Sequence, residues 1–109
     1  MVSESTANWT TARLHCKELG GDLATIGDES TMEFIRNNLV YPNFAWIGGQ
    51  RISDVWSWAD GTPWSYENWL HGEPNVETGD VGADLCSAYF WCDYIKSQAL
   101  YYICQYSPK

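Results

Sequence analysis

The sequence predicts an α+β domain, with two helices packed on small antiparallel sheets and a long acidic loop among the strands. Three observations lead there. Apolar residues recur at helical spacing through the first third of the chain. From residue 44 the pattern changes to short apolar or alternating runs of strand type. Between about Gly61 and Gly82 neither period holds, and helices first with strands later is the α+β order.

Taken in order, Trp9, Ala12, Cys16 and Leu19 fall on one helical face. Thr6 or Asn8 can cap that helix, and Gly20-Gly21 ends it. Leu23-Ala24-Thr25-Ile26 is a short apolar run between glycine and acidic punctuation. Asp28 caps a second helix carrying Met32, Ile35 and Leu39, and Pro42 stops it. Phe44 to Gly48 reads as a buried strand. Val55 to Trp58 alternates and reads as another, with a turn at Asp60-Gly61. Trp46, Trp56 and Trp58 are expected in the core, as alternating aromatics usually fill a sheet face. Cys86 to Trp91 and Tyr101 to Cys104 read as late strands.

The chain has 109 residues, enough for one modest core, so residues 1–109 are read as one domain. Fourteen acidic residues stand against six basic ones, a net charge of −8. That balance excludes nucleic acid, whose phosphates need Lys and Arg, and anionic membrane surfaces. Seven Trp and seven Tyr exclude a disordered chain. No apolar run is long enough to span a membrane.

Cys16, Cys86, Cys92 and Cys104 make an even set in a small chain, the mark of two disulfides and an oxidising, extracellular compartment. Four cysteines allow three pairings, and the sequence alone does not choose among them. No Cys-x-x-Cys occurs, which argues against a zinc ribbon or a thioredoxin-type site. Met1 is followed by the polar stretch Val2 to Thr6 rather than by an apolar leader, so export is inferred from the cysteines. Asn8-Trp9-Thr10 is an N-glycosylation acceptor triplet.

The aperiodic stretch from about 61 to 82 is long for a domain of this size, and such loops usually serve a function. Trp64, Tyr66 and Trp69 argue that it is pinned. In it and just after it lie Glu67, Asn68, Glu73, Asn75, Glu77, Asp80, Asp84 and Asp93. Carboxylates and amide carbonyls are the hard oxygen donors that Ca²⁺ takes, six to eight at a time. An acidic loop is more often simply solvated, and no EF-hand run occurs. His15 sits beside Cys16, but adjacent helical positions point apart. No nucleophile, base and orienter can be assembled, and the chain is not expected to be an enzyme.

Five motifs then stand in order: Gly20 to Ile26 after a cysteine-bearing helix, Trp46-Ile47-Gly48-Gly49, Trp56 to Gly61, Trp69 to Asn75, and Tyr102 to Gln105. In that order they resemble the C-type lectin-like domain over nearly the whole chain. The resemblance implies the C-type lectin-like fold, a Cys16–Cys104 disulfide and a long calcium-binding loop. It implies that Glu73-Pro74-Asn75 is the signature for sugars with equatorial 3- and 4-hydroxyls, of the mannose, glucose and fucose type. Glu73, Asn75, Asp84 and Asp93 would be the metal ligands for Ca²⁺ and would also touch the sugar, with Pro74 cis. Apart from the resemblance, Trp64, Trp69 and Tyr89 are of a type that stacks on the apolar face of galactose, which keeps that sugar open, although core packing is the more common role of such residues. The expected partner is a mono- or oligosaccharide, with oligomeric state left open and no part for nucleic acid or membrane.

Two departures from the family pattern stand out. Its Trp-Asn-Asp motif reads Trp91-Cys92-Asp93, so one amide ligand is lost, with Asp80 or a water as a substitute. Lys96 stands where the family has its inner cysteine, which leaves Cys86–Cys92 as the remaining pair. These departures keep a rival in view, a calcium-independent module of the same fold binding a protein, ice or mineral surface.

Overall fold

The computed structural model describes residues 1–40 and 44–106. The first helix, α1, spans Trp9–Glu18, and Asn8 caps it by accepting the Thr11 N–H at 2.8 Å. Ala12 and Cys16 point into the core behind Trp9. Leu19 does not join them. It is the C-cap, 42% exposed, because the chain leaves the helical path there and passes through Gly20 at φ 95°. Strand β1 (Gly21–Leu23) follows, then α2 (Glu29–Asn38), capped by Asp28 on the Thr31 N–H. Met32 and Ile35 are buried, while Leu39 is again a half-buried C-cap. The stop assigned to Pro42 lies outside the described residues.

Six more strands complete the described chain: β2 (Ala45–Ile52), β3 (Val55–Trp58), β4 (Val81–Ser87), β5 (Phe90–Ile95), β6 (Tyr101–Tyr102) and, last, β7 (Cys104–Tyr106) closing on β1. The main sheet has the order β3-β2-β4-β5, antiparallel throughout, and β6 adds to β2 in parallel. The small sheet pairs β1 with β7, and beside it Val2 bridges Ile103 and the Cys104 N–H donates to the Met1 carbonyl, which brings the N-terminal residues onto the last strands. The architecture is the α+β arrangement the sequence predicts.

Cys86 to Trp91 is not one strand. It contains a hairpin tip between β4 and β5, with Ala88 and Tyr89 in the left-handed region (φ 49° and 66°). An apolar run there was indistinguishable from a strand by composition. Tyr101 to Cys104 divides likewise into β6 and β7. Strand β4 begins at Val81, so the aperiodic segment runs from 59 to 80. Gly82 lies in β4, opposite Gln50 and Tyr94, and a Cβ there would lie 2.6 Å from the Trp9 indole. Glycine was a loop signal in the sequence and is a close-packing device in the fold.

Both disulfides form, Cys16–Cys104 with Cα atoms 5.4 Å apart and Cys86–Cys92 at 5.7 Å. The first ties α1 to β7. It stands in a core of Trp9, Ala12, Leu23, Trp46 and Tyr102. A second core of Ile26, Met32, Ile35, Ile47, Leu85 and Trp91 lies between α2 and the main sheet. Trp46 and Trp58 are buried as expected, whereas Trp56 is only half-buried.

Candidate metal and sugar site

The long segment is fixed at its aromatic positions. The Trp64 ring lies 4.7 Å from that of Trp58 and 5.9 Å from that of Trp91, and Trp69 lies 5.6 Å from Trp91. The Tyr66 hydroxyl donates to Glu29 on α2, and burial followed by that carboxylate pushes the phenol up to about 12. The backbone then pairs across Trp91, whose N–H donates to the Asn68 carbonyl and whose carbonyl accepts from Leu70. Trp64 and Trp69 are therefore half-buried members of an aromatic cluster beneath the loop. Glu67 accepts from the Trp64 indole at 2.7 Å, and Asn68 donates to the Tyr89 carbonyl.

Beyond this anchor comes the donor-bearing stretch. The Glu73 N–H donates to Leu70, and the Glu73–Pro74 bond is cis. The two carboxylate oxygens of Asp93 accept the N–H groups of Asn75 and Val76, each at 2.9 Å. Asn75 itself is exposed, Glu73 half-buried and Asp93 buried. Asp84 is fully buried on β4, and neither of its oxygens has a hydrogen-bond partner.

These carboxylates feel one another. Burial, then Asp93 and Glu73, push Asp84 up to about 8. Burial, then Asp93, raises Glu73. The Tyr94 phenol is raised by burial and then by all three acids. Buried negative charges of this kind cost stability unless a cation offsets them. Carboxylate oxygens are the kind of hard donor that a cation such as Ca²⁺ takes. The spacing is open, however. Ladder register pairs Asp84 with Cys92 and Ala83 with Asp93, so the two aspartates spring from successive rows. Among the described residues no three His, Cys, Asp or Glu side chains stand close enough to hold a metal ion as placed.

Asp80, a candidate substitute ligand, is paired with Lys96 at 3.3 Å. Lys96, noted in the sequence only as a missing cysteine, also donates to Gln50 at 2.7 Å and sits 4.1 Å over the Trp9 ring. Arg51, which sequence reading passed over, donates to the carbonyls of Val76 and Gly79. With only six Lys and Arg in so acidic a chain, each cation near the loop was a signal worth following. Cys16 is locked in its disulfide, and the His15 Nδ1 meets the Tyr102 hydroxyl at 2.5 Å, so neither side chain forms part of a nucleophilic set.

The sequence pattern of the Lectin C-type domain matches residues 5–106. The chain belongs to the C-type lectin domain family. Ladderlectin of Oncorhynchus mykiss is 31% identical to this C-type lectin domain over 99 residues, 85% of the chain and 50% of that protein. The mouse scavenger receptor C-type lectin carbohydrate-recognition domain superposes with a TM-score of 0.87 at 25% identity, covering 99% of this chain and 88% of that one. A calcium-independent type II antifreeze protein superposes with a TM-score of 0.82 at 26% identity, covering 94% and 81%. The chain spans about half the length of curated relatives such as ladderlectin and the type-2 ice-structuring proteins. The relatives are lectins, receptors and ice-structuring proteins, a non-enzymatic family. Among the described residues no helix is long and apolar enough to cross a membrane.

Proposed function

We propose that this domain binds Ca²⁺ through Glu73, Asn75, Asp84 and Asp93 and through that ion holds a carbohydrate. The observation that carries the reading is Asp84, fully buried with both oxygens unpartnered and with Asp93 and Glu73 as its charged neighbours. A carboxylate is costly to bury alone, so its place is best explained by a cation. Three carboxylates against one Ca²⁺ leave a net charge of about −1, and extracellular sites of this class have a Kd on the order of 10⁻⁴–10⁻³ M.

Bound there, the ion supplies positive charge and spare coordination positions for two neighbouring sugar hydroxyls. The chain supplies the rest. Glu73 accepts a hydrogen bond from a hydroxyl, and the Asn75 amide can both donate and accept. The Glu73-Pro74-Asn75 triplet favours sugars of the mannose, glucose and fucose type. Trp64 and Trp69 present half-buried rings beneath the same loop, which leaves galactose as the second choice and makes stacking a secondary contribution. The two disulfides fit an oxidising compartment, and secretion is part of this reading.

The rival is a calcium-independent role. It is favoured by the open spacing of the acids and by the likeness to a calcium-independent antifreeze protein. A thermal melt separates the two. A rise in Tm with millimolar Ca²⁺, and a further rise with mannose, supports the lectin reading. A flat Tm in both overturns it. A glycan array with and without EDTA then identifies the sugar.

A further inference from the structure

We propose that Arg51 is a positioning residue for the donor-bearing segment, holding Glu73 to Asn75 in place before any ion arrives. Arg51 lies near the end of β2, and its guanidinium donates to the Val76 carbonyl at 2.5 Å and to the Gly79 carbonyl at 3.3 Å. The Val76 residue is thus gripped twice. Its N–H is held by the Asp93 anion and its carbonyl by the Arg51 cation. Asp93 also takes the N–H of Asn75, next to the cis peptide. Further along, Lys96 holds Asp80 by its side chain, at 3.3 Å, and by its own N–H on the Asp80 carbonyl, at 2.9 Å.

Residues 75 to 80 therefore run between charges that β2, β5 and Lys96 just after β5 provide. Hydrogen bonds to charged groups are the strong ones, and a planar fork suits two carbonyls better than a point charge does. A loop of mutually repelling acids would otherwise open when the cation is withdrawn. Arg51 acts on backbone carbonyls rather than on Glu73 or Asp84, which leaves those two carboxylates available. The clamp stands on the geometry alone. Its effect on ion affinity rests on the calcium reading above.

Glu77 provides the test, because it is exposed and lies between the two carbonyls that Arg51 holds. A glutamate-specific protease in EDTA should nick wild type slowly after Glu77. R51A should be nicked on the order of tenfold faster there, with R51K intermediate. Glu33 on α2 serves as the internal control for global unfolding. Faster cutting at Glu77 alone supports the clamp. Equal rates in wild type and R51A, or a rise at Glu33 in step with Glu77, overturn it. The Ca²⁺ Kd of R51A, read by thermal-shift titration, should weaken about tenfold, and an unchanged Kd overturns the positioning role. If wild type binds no Ca²⁺, the calcium reading fails while the protease arm still decides the clamp. If R51A does not fold, R51K read in the same way decides it.

Discussion

Asp84 lies directly opposite Cys92 in the β4–β5 ladder, and Cys92 is tied back to Cys86 two residues along β4 from Asp84. Cross-strand neighbours share a face, so the residue at 92 is the natural partner for the Asp84 carboxylate. An asparagine there could donate an amide N–H. A half-cystine has no N–H or O–H to give. The disulfide that replaces the family's inner bridge thereby leaves Asp84 buried and unpartnered. Structural staple and site chemistry are linked through one position.

Asp84 governs how stability responds to pH. Its folded-state value is pushed up to about 8 by burial and then by Asp93 and Glu73, against an unfolded value near 4. Between those values the folded chain holds a proton that the unfolded chain has lost. Stability without Ca²⁺ should therefore fall as pH rises from about 4 to about 8. The slope contributed by this group reaches about 1.4 kcal/mol per pH unit. Urea denaturation in EDTA across that range measures it, and a curve that rises throughout contradicts the assignment.

Ca²⁺ should reverse that trend. The ion competes with the proton on Asp84, so affinity rises with pH through neutrality and is lost in acid. The Ca²⁺-induced rise in Tm should be larger at pH 8 than at pH 6 and absent at pH 4. A shift that is the same at all three values argues that Asp84 is not a ligand.

The D84N variant removes the buried charge and keeps the shape. In EDTA it should match wild type near pH 4 and exceed it by an amount that grows with pH to about 5 kcal/mol at pH 8. It should also lose the Ca²⁺-induced Tm shift. A stabilised variant that still responds to Ca²⁺ places the ion elsewhere.

Lys96 takes a structural part that its sequence position does not advertise. K96A breaks the bond to Gln50, the pair with Asp80 and the contact over Trp9. The exposed Asp80 makes the ion pair weak, so most of the loss comes from the buried stem and the Gln50 bond. A destabilisation of about 1–2 kcal/mol in urea is expected.

At Gly82, the G82A variant forces a methyl group to within 2.6 Å of the Trp9 indole, whose own N–H is bound to the Ile47 carbonyl at 2.9 Å. Trp9 cannot move without giving up that bond. A loss of about 1–3 kcal/mol, read as a lower Tm with the disulfides intact, is the expected cost of overpacking.

Helical period, cap chemistry and cysteine count are local properties, and the sequence by itself determined α1 with Thr6 or Asn8 as its cap, α2 with its Asp28 cap, the α+β order and the two-disulfide framework, while the structure chose Asn8. The ordered motifs added the family and the candidate donors Glu73, Asn75, Asp84 and Asp93. Tertiary structure decided what depends on distance in space. It turned Cys86 to Trp91 into a hairpin because left-handed residues, not apolar ones, mark the tip. It placed Gly82 in the β2–β4–β5 ladder, where Trp9, far away in sequence, fills the space a side chain would take. It also set a half-cystine against Asp84 and brought Arg51 and Lys96 to the loop, since register and side-chain reach are fixed only when strands pair.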